Sequence, residues 1–144
     1  MPVESAYVDT SVLGAYYCPE ELSSAAEEAI LRLGTPVISH LSEVEFCSLV
    51  AKKCRLDELK KRQGREIIDL FSNHVAEGYY RRMPLTAEHF IKARTTIASM
   101  TSSLRTQDAL HLAVATSEAL PLLTADLGFA RAAKSVKAPA LLLK

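Results

Sequence analysis

The sequence lacks an excess of charge, a cysteine pairing motif and a long apolar run, and each absence narrows its possible functions. Its 17 basic residues are matched by 17 acidic ones, which argues against binding nucleic acid through bulk electrostatic attraction. Three cysteines without a CxxC pair argue against a disulfide framework or a zinc–thiolate site. Neither a signal peptide nor an apolar run of about 18 residues is present, so we expect a cytoplasmic protein without a membrane span.

Size and composition predict a single folding unit. The 144 residues are 49% hydrophobic, which is enough apolar surface for one real core. Repeats, low-complexity tracts and linkers are absent from the sequence. We therefore expect one compact domain that spans residues 1–144.

Short apolar runs alternate with segments of helical periodicity along the chain. Strands are predicted at 5–8, 36–39, 79–85, 122–124 and 140–143. Helices are predicted after the first strand, from a restart at Asp57, and at 20–33, 40–55, 86–99 and 107–119. The alternation favours a three-layer α/β/α sandwich with a mainly parallel central sheet of four to five strands. Two arginines in the third strand predict an edge position for it.

Four acidic residues lie beside apolar stretches that give no structural reason for a charge: Asp9, Glu45, Asp108 and Asp126. An unpaired carboxylate in such a place is costly, whereas a cation can hold several together. Asp9 and Asp126 fall at or just after predicted strand ends, where open α/β sheets bind ligands. Oxygen ligands without a His or Cys cluster favour Mg²⁺ or Mn²⁺, and such an ion suits phosphodiester hydrolysis.

Simpler explanations exist for some of these acids. Asp9 can cap the helix that follows it, and Asp108 lies in a first helical turn, where an acid complements the helix dipole. Glu45 is preferred to its neighbour Glu43, because Glu43 also falls in a first turn. Thr124 is a possible hydroxyl partner for the fourth acid. His111 shares a helix face with Asp108 and is interpreted as a core histidine or a support for the site.

Four segments carry a resemblance to a known family: 8–13 (VDTSVL), 38–46 (ISHLSEVEF), 106–113 (TQDALHLA) and 123–129 (LTADLGF). They resemble, in the same order, the four signature blocks of the PIN-domain nucleases. A stand-alone domain of this length is similar to the VapC toxins of toxin–antitoxin pairs. The resemblance implies a Mg²⁺- or Mn²⁺-dependent endoribonuclease that cleaves RNA, forms a homodimer and is inhibited by a small antitoxin protein.

The resemblance also implies roles for particular residues. The metal-binding acids would be the four named above, Asp9, Glu45, Asp108 and Asp126, with Thr10 or Ser11 in support. The helix hairpin at 41–77 would receive the antitoxin. Its outer face is basic, with Lys52, Lys53, Arg55, Lys60, Lys61, Arg62 and Arg65. A solvated helix face and a patch for RNA phosphates or an acidic partner both remain open for this surface.

Other functional classes fit less well or differ only in regulation. A haloacid-dehalogenase-type phosphatase needs a second aspartate where this chain has Ser11. A receiver domain needs an acidic pair and a late lysine, and neither is visible. An RNA-processing nuclease outside any toxin–antitoxin pair remains an alternative, as does a catalytically silent module that binds RNA or protein.

Overall fold

A five-stranded parallel sheet forms the centre of the computed structural model, which describes residues 5–144. Its strands are β1 (Ser5–Val8), β2 (Thr35–Ser39), β3 (Arg81–Met83), β4 (Leu122–Thr124) and β5 (Ala140–Leu142). They lie in the order β3-β2-β1-β4-β5, and every neighbouring pair is parallel. The chain leaves β1 toward β2 on one side and returns to β4 on the other. The order therefore reverses beside β1, which is where such sheets bind ligands.

The described residues also form seven helices, placed between successive strands. They are α1 (Thr10–Tyr17), α2 (Ser23–Arg32), α3 (His40–Arg55), α4 (Lys61–Ala76), α5 (Ala87–Ala98), α6 (Thr106–Ser117) and α7 (Leu127–Ser135). None of these helices is long and apolar enough to cross a membrane. The predicted arrangement of strands and helices is confirmed, with β3 at the edge of the sheet as its arginines indicated.

Alternating side chains along the strands divide the core into two halves. Val8, Ile38 and Leu123 pack on the face that α1, α2, α3 and α4 cover. Tyr7, Val37 and Leu122 pack on the opposite face with α5, α6 and α7. Because successive strand residues point to opposite faces, each buried strand supplies both cores. The predicted three-layer α/β/α sandwich is therefore confirmed.

The structure differs from the sequence prediction at two elements. Asp57 does not restart a helix, because it adopts a left-handed backbone with a φ of 58° in the turn that precedes α4. The nine-residue helix α7, which buries Phe129, Ala130, Ala132 and Ala133, was not predicted. Asp126 sits directly before it and accepts a hydrogen bond from the backbone N–H of Phe129, 3.1 Å away. That capping bond locates the start of the helix.

The hairpin of α3 and α4 is held by aromatic packing and a close helix contact. Phe46 and Phe71 pack with ring centroids 4.5 Å apart and planes tilted by 44°, and Tyr17 packs against both rings. A Cβ atom at Gly64 would lie 2.7 Å from the Sγ atom of Cys54, so the glycine permits the two helices to approach. The hairpin predicted from the sequence is present, with α4 beginning later than expected.

Candidate metal-binding active site

The ends of β1 and β4 bring two distant acids to the same edge of the sheet. β1 and β4 are parallel neighbours, with Val8 opposite Leu123. The backbone N–H of Asp9 donates to the carbonyl of Leu123 at 2.9 Å, which joins the two strand ends. Asp126 follows β4 by two residues. The expected placement of Asp9 and Asp126 at one sheet edge agrees with this geometry.

The side chain of Asp9 is held by hydroxyl groups rather than by the helix that follows. Asp9 occupies the position before α1, yet its carboxylate makes no capping hydrogen bond. Its Oδ2 atom accepts from Ser11 Oγ at 2.7 Å and from Thr124 Oγ1 at 2.9 Å. The side chain is buried, with 7% of the residue exposed. Helix capping therefore does not explain this carboxylate.

Glu45 faces the same region from α3 and is held by two donors. Its Oε1 atom accepts from Thr10 Oγ1 at 3.0 Å and from Nε2 of His111. Burial raises the pKa of this carboxyl, but the hydrogen bonds from His111 and Thr10 outweigh it, so the pKa lies below its usual value. Thr10 and His111 thus stabilise the ionised form of Glu45.

Glu43 is committed to a different partner. Its two carboxylate oxygens accept from Nε and Nη2 of Arg82 in β3, at 2.5 Å and 2.9 Å. This two-point ion pair matches the fork geometry of an arginine with a carboxylate. The preference for Glu45 over Glu43 thereby gains a structural reason, because Glu43 has its own cation.

Asp108 lies in the first turn of α6 and is affected by both a cation and another acid. Burial raises the pKa of its carboxyl, and the negative charge of Asp9 adds to the increase. Hydrogen bonds from the backbone N–H and from Nε of Arg105 act in the opposite direction, at 3.4 Å and 3.5 Å. The positive charge of Arg105 also acts on Glu45. Burial and a neighbouring carboxylate are the conditions under which a bound cation becomes favourable.

Asp126 has a weaker claim to the site than the other acids. Its Oδ1 atom caps α7, as described above, so a structural role accounts for part of its placement. Thr124 was expected to support its carboxylate. Instead, Thr124 Oγ1 donates to Asp9 and accepts from the backbone N–H of Asp126 at 3.0 Å. The threonine thus links the two strand-end acids through the side chain of one and the backbone of the other.

Each of the four carboxylates is hydrogen-bonded through one oxygen and leaves the other open. The engaged atoms are Asp9 Oδ2, Glu45 Oε1, Asp108 Oδ2 and Asp126 Oδ1. Among residues 5–144, no buried side-chain nitrogen or oxygen lacks a partner, so the four open oxygens keep contact with solvent. Hard, accessible oxygens are the ligands that Mg²⁺ and Mn²⁺ prefer. The donor chemistry therefore fits such an ion.

The four acids lie in the same region but do not form a closed set of metal ligands. Across the described part of the chain, no three His, Cys, Asp or Glu side chains converge closely enough to form a metal-binding group. Mg²⁺ commonly keeps several water ligands and takes only one or two carboxylates directly. An open arrangement of carboxylates is compatible with that mode of binding.

A hydrogen-bonded chain beneath Glu45 was not foreseen from the sequence. Tyr7 in β1 contacts Nδ1 of His111 at 2.5 Å through its hydroxyl, which also lies 2.8 Å from Ser39 Oγ. Burial raises the pKa of the Tyr7 phenol well above its ordinary value, so the hydroxyl stays protonated. The only sequence signal was the polar atoms of Tyr7 and His111 inside apolar runs, and nothing local pairs the two.

A cleft of about 570 Å³ is lined by Asp126 but not by Asp9, Glu45 or Asp108. Ser11 of α1 and Lys52 and Lys53 of α3 also line it. Lys53 is engaged by Glu20 and Glu58, with its Nζ atom 3.8 Å and 3.7 Å from their carboxylates. The cleft beside Asp126 thus carries both acidic and basic side chains.

The structure is thus of the class of parallel α/β domains that carry carboxylates at the switch point of the sheet, the place beside β1 where the strand order reverses. Within that class, the profile of the PIN domain matches residues 6–135 of this chain. The chain therefore belongs to the PIN domain family, as the four sequence segments indicated. No curated protein matches the sequence.

Solved structures with the same fold include several toxin–antitoxin proteins. VapC20 of Mycobacterium tuberculosis, described as a sarcin–ricin loop cleaving toxin, is 17% identical, with 88% of this chain and 94% of that chain covered and a TM-score of 0.71. FitAcB of Neisseria gonorrhoeae is 14% identical, with coverages of 94% and 96% and a TM-score of 0.68. VapBC2 of Rickettsia felis, bound to a promoter DNA fragment, is 17% identical, with coverages of 97% and 99% and a TM-score of 0.67. At these identities the likeness establishes the fold.

Proposed function

We propose that this protein is a Mg²⁺- or Mn²⁺-dependent endoribonuclease, that it hydrolyses RNA phosphodiester bonds, and that it is the toxin of a toxin–antitoxin pair. The observation that carries the proposal is the set of four carboxylates, each with one oxygen held and one open, at the switch point of the sheet. Membership of the PIN domain family, which is a family of nucleases, supports the same reaction class.

The side chains divide into ligands and supports in this proposal. Asp9, Glu45 and Asp108 would hold the ion, and Asp126 would contribute from the end of β4. Ser11 and Thr124 orient Asp9, as Thr10 orients Glu45, through the hydrogen bonds described above. The chemistry that such an ion supplies when bound is activation of a water nucleophile and neutralisation of phosphodiester charge.

Cleavage by purified protein tests the proposal directly. Protein freed of any antitoxin is incubated with RNA and either Mg²⁺ or Mn²⁺. We expect cuts that EDTA abolishes and that Asp9→Asn slows by at least about 100-fold, because metal-based charge stabilisation contributes several kcal/mol. Glu43→Gln is the matched control, since it removes an acid of the same helix surface whose partner is Arg82.

Two other results would contradict the proposal in different ways. Full cleavage by Asp9→Asn would place the activity at another site or in a contaminant. Binding of several RNAs without cleavage, in the presence of either metal, would favour the catalytically silent module. RNA is the proposed substrate because VapC20, one of the structural relatives, is described as a toxin that cleaves the sarcin–ricin loop.

An antitoxin partner is proposed from the structural relatives and from the surface of the hairpin. A groove of about 320 Å³ runs between α3 and α4, with apolar walls that include Val50 and Ile68. Arg55, Lys61 and Arg65 also line this groove. Apolar walls with basic neighbours suit an amphipathic segment that carries acidic residues. Reversing the charge of Arg55 and Arg65 should weaken capture of a co-expressed antitoxin without slowing RNA cleavage.

Growth of cells that express the protein separates the toxin proposal from the alternative of RNA processing. Expression should arrest growth for the natural sequence and not for Asp9→Asn, and an antitoxin encoded beside it should restore growth. Harmless expression of an enzyme that is active in vitro would favour a processing nuclease outside any toxin–antitoxin pair.

A homodimer is the proposed assembly. Apolar side chains are exposed on α5 and in the turn after it: Phe90, Ile91, Ile97 and Met100. Exposed apolar patches of this kind are typical of interfaces. Light scattering of the purified protein should give twice the monomer mass, and Ile91→Glu should shift it toward the monomer.

A further inference from the structure

His111 is buried beside the candidate ligands, although the proposed set of metal-binding acids does not include it. We propose that His111 is a positioning residue that holds Glu45 in the orientation required for metal binding, and that Tyr7 and Ser39 fix His111 in turn. This inference rests on the proposed function, because it assigns Glu45 a place in the metal site.

Both ring nitrogens of His111 are hydrogen-bonded. His111 is 1% exposed, and Nε2 donates to the carboxylate of Glu45. Its other nitrogen, Nδ1, hydrogen-bonds the Tyr7 hydroxyl at 2.5 Å. The Tyr7 hydroxyl also hydrogen-bonds Oγ of Ser39 at 2.8 Å. A continuous chain of hydrogen bonds therefore joins Ser39, Tyr7, His111 and Glu45.

This arrangement selects one oxygen of Glu45 for the protein and leaves the other for a ligand. Thr10 and His111 both donate to Oε1. Two donors on one oxygen restrict rotation of the carboxylate, and Oε2 has no hydrogen-bond partner within residues 5–144. Groups that donate to metal-binding carboxylates in this way orient them and raise metal affinity.

The chain of hydrogen bonds also returns to the helix that carries Glu45. Ser39 is the residue before α3, and its Oγ atom accepts from the backbone N–H of Ser42 at 3.4 Å. The start of α3 is thereby connected to Glu45 through Tyr7 of β1 and His111 of α6. Hydrogen bonds therefore join β1, α3 and α6 close to the side chain of Glu45.

A purely structural role for this pair has a ready comparison in the same molecule. Tyr17 contacts Nδ1 of His74 at 2.7 Å and also hydrogen-bonds Tyr80 at 2.6 Å, among the aromatic residues of the hairpin. Within residues 5–144, neither member of this second pair hydrogen-bonds any of the four acids. Removal of its hydroxyl therefore measures the cost of losing a buried phenol without disturbing Glu45.

Two substitutions of His111 distinguish the two nitrogens. The amide nitrogen of His111→Gln can take the place of Nε2 and still donate to Glu45. The shorter side chain of His111→Asn reaches only the position of Nδ1 and loses Glu45. Binding of Mn²⁺ to the purified protein, followed by electron paramagnetic resonance, reports on the site without depending on RNA cleavage.

We expect His111→Asn to weaken Mn²⁺ binding by about 10- to 100-fold, the range typical of groups that orient metal ligands. His111→Gln should stay within a few-fold of the natural protein. Tyr7→Phe, which keeps the ring volume, should weaken binding several-fold, whereas Tyr17→Phe should not change it. Thermal unfolding of each variant establishes that the folded state is present during the measurement.

Two outcomes would overturn the inference, and they separate it from the proposed function. If Glu45→Gln binds Mn²⁺ like the natural protein, Glu45 is not a ligand and both proposals about it fail. If Glu45→Gln weakens binding while His111→Asn and Tyr7→Phe do not, the metal site stands and the positioning role fails. Should His111→Asn not fold, Tyr7→Phe against Tyr17→Phe decides the question alone.

Discussion

Two tyrosine–histidine pairs of almost the same geometry have different surroundings in this protein, because His111 is buried whereas His74 is only partly buried. The rings of Tyr7 and His111 lie 5.5 Å apart at 51°, and those of Tyr17 and His74 lie 5.5 Å apart at 44°. In each pair the tyrosine hydroxyl meets the Nδ1 atom of the histidine. The pairs differ in what each histidine contacts next.

The second contact of each histidine separates a site from a structural core. Nε2 of His111 reaches Glu45 at the edge of the sheet. His74 instead stacks on the exposed ring of Tyr79, with centroids 4.4 Å apart and planes 6° from parallel. A local motif therefore does not define a role, because the partner at its far end decides whether it supports chemistry or packing.

The largest expected effect comes from a substitution in the aromatic cluster of the hairpin, which contains the Tyr17–His74 pair. Phe71 is 2% exposed and packs against Phe46, Tyr17 and Tyr80. Phe71→Ala should lower the free energy of unfolding by about 3–5 kcal/mol, because it removes buried apolar surface and leaves a cavity. Leu70→Ala in the same helix is the control, since Leu70 is 48% exposed. Denaturant unfolding measures both, and similar losses would mean that the aromatic cluster is not a core.

The next effect appears in alkaline solution. Burial raises the pKa of Tyr80 from 10.0 to about 12. Because the folded state holds this proton more tightly, its stabilising contribution is complete below pH 10 and is lost as the pH rises through 12. A single such group lowers the free energy of unfolding by about 1.4 kcal/mol per pH unit in that window. Burial also raises the pKa of Tyr7 and Tyr17, so Tyr80→Phe should reduce the slope by one group's contribution, and an unchanged slope would contradict the assignment.

A smaller effect sharpens the difference between two acids of the site. The pKa of Asp108 is raised, so the folded state favours its protonated form. The free energy of unfolding therefore falls when the pH rises above the ordinary pKa of an aspartate and Asp108 ionises. Ionised Glu45 favours the folded state, because its pKa is lowered, and this stability is lost as the pH falls through the folded pKa. Near neutral pH and in EDTA, Asp108→Asn should raise the melting temperature.

Glu45→Gln should lower the melting temperature under the same conditions. The free energy of unfolding should fall by about 1 kcal/mol, since the hydrogen bonds of the side chain would no longer be charge-assisted. Melting curves over a pH series measure both variants. Shifts of the same sign would contradict the opposite environments inferred for Asp108 and Glu45.

The smallest effect concerns the ion pair beside the site. The side chains of Glu43 and Arg82 are 25% and 49% exposed. Ion pairs this exposed contribute about 0–1 kcal/mol to the free energy of unfolding. Glu43→Gln should therefore change stability slightly, with a dependence on salt, and leave RNA cleavage and Mn²⁺ affinity unaltered. A loss of metal affinity in this variant would return Glu43 to the list of candidate ligands.

Much of the architecture was predictable because local periodicity and strand order leave few alternatives. Short apolar runs predicted four of the strands, the arginine-containing segment at 79–85 predicted the edge strand, and the alternation with helical segments predicted the layered sandwich. The helix α7 was missed although Phe129 and three alanines form a regular buried face, because the segment was interpreted only as the surroundings of Asp126. The start of α4 was misplaced because Asp57 is a good helix-capping residue that here adopts a left-handed turn.

The four candidate acids remain a prediction from the sequence, and their hydrogen-bond environments became visible only in the structure. Asp9 and Asp126 follow strand ends, so parallel pairing brings them to one edge. Thr124 was assigned to Asp126 because it lies two residues away, yet it donates to Asp9, 115 residues distant. Sequence proximity is a weak guide to hydrogen-bond partners once parallel strands are placed side by side.

By itself the sequence determined the sheet and the family, and it predicted four candidate acids, because periodicity, strand ends and motif order are written in neighbouring residues. Only the tertiary structure decided which oxygen of each acid is held, that Glu43 belongs to Arg82, and that His111 belongs to Glu45. Tyr7 and His111 are 104 residues apart, and Glu45 and His111 are 66 apart. Hydrogen-bond direction and burial depend on such long-range contacts, which exist only after β1, α3 and α6 have packed together.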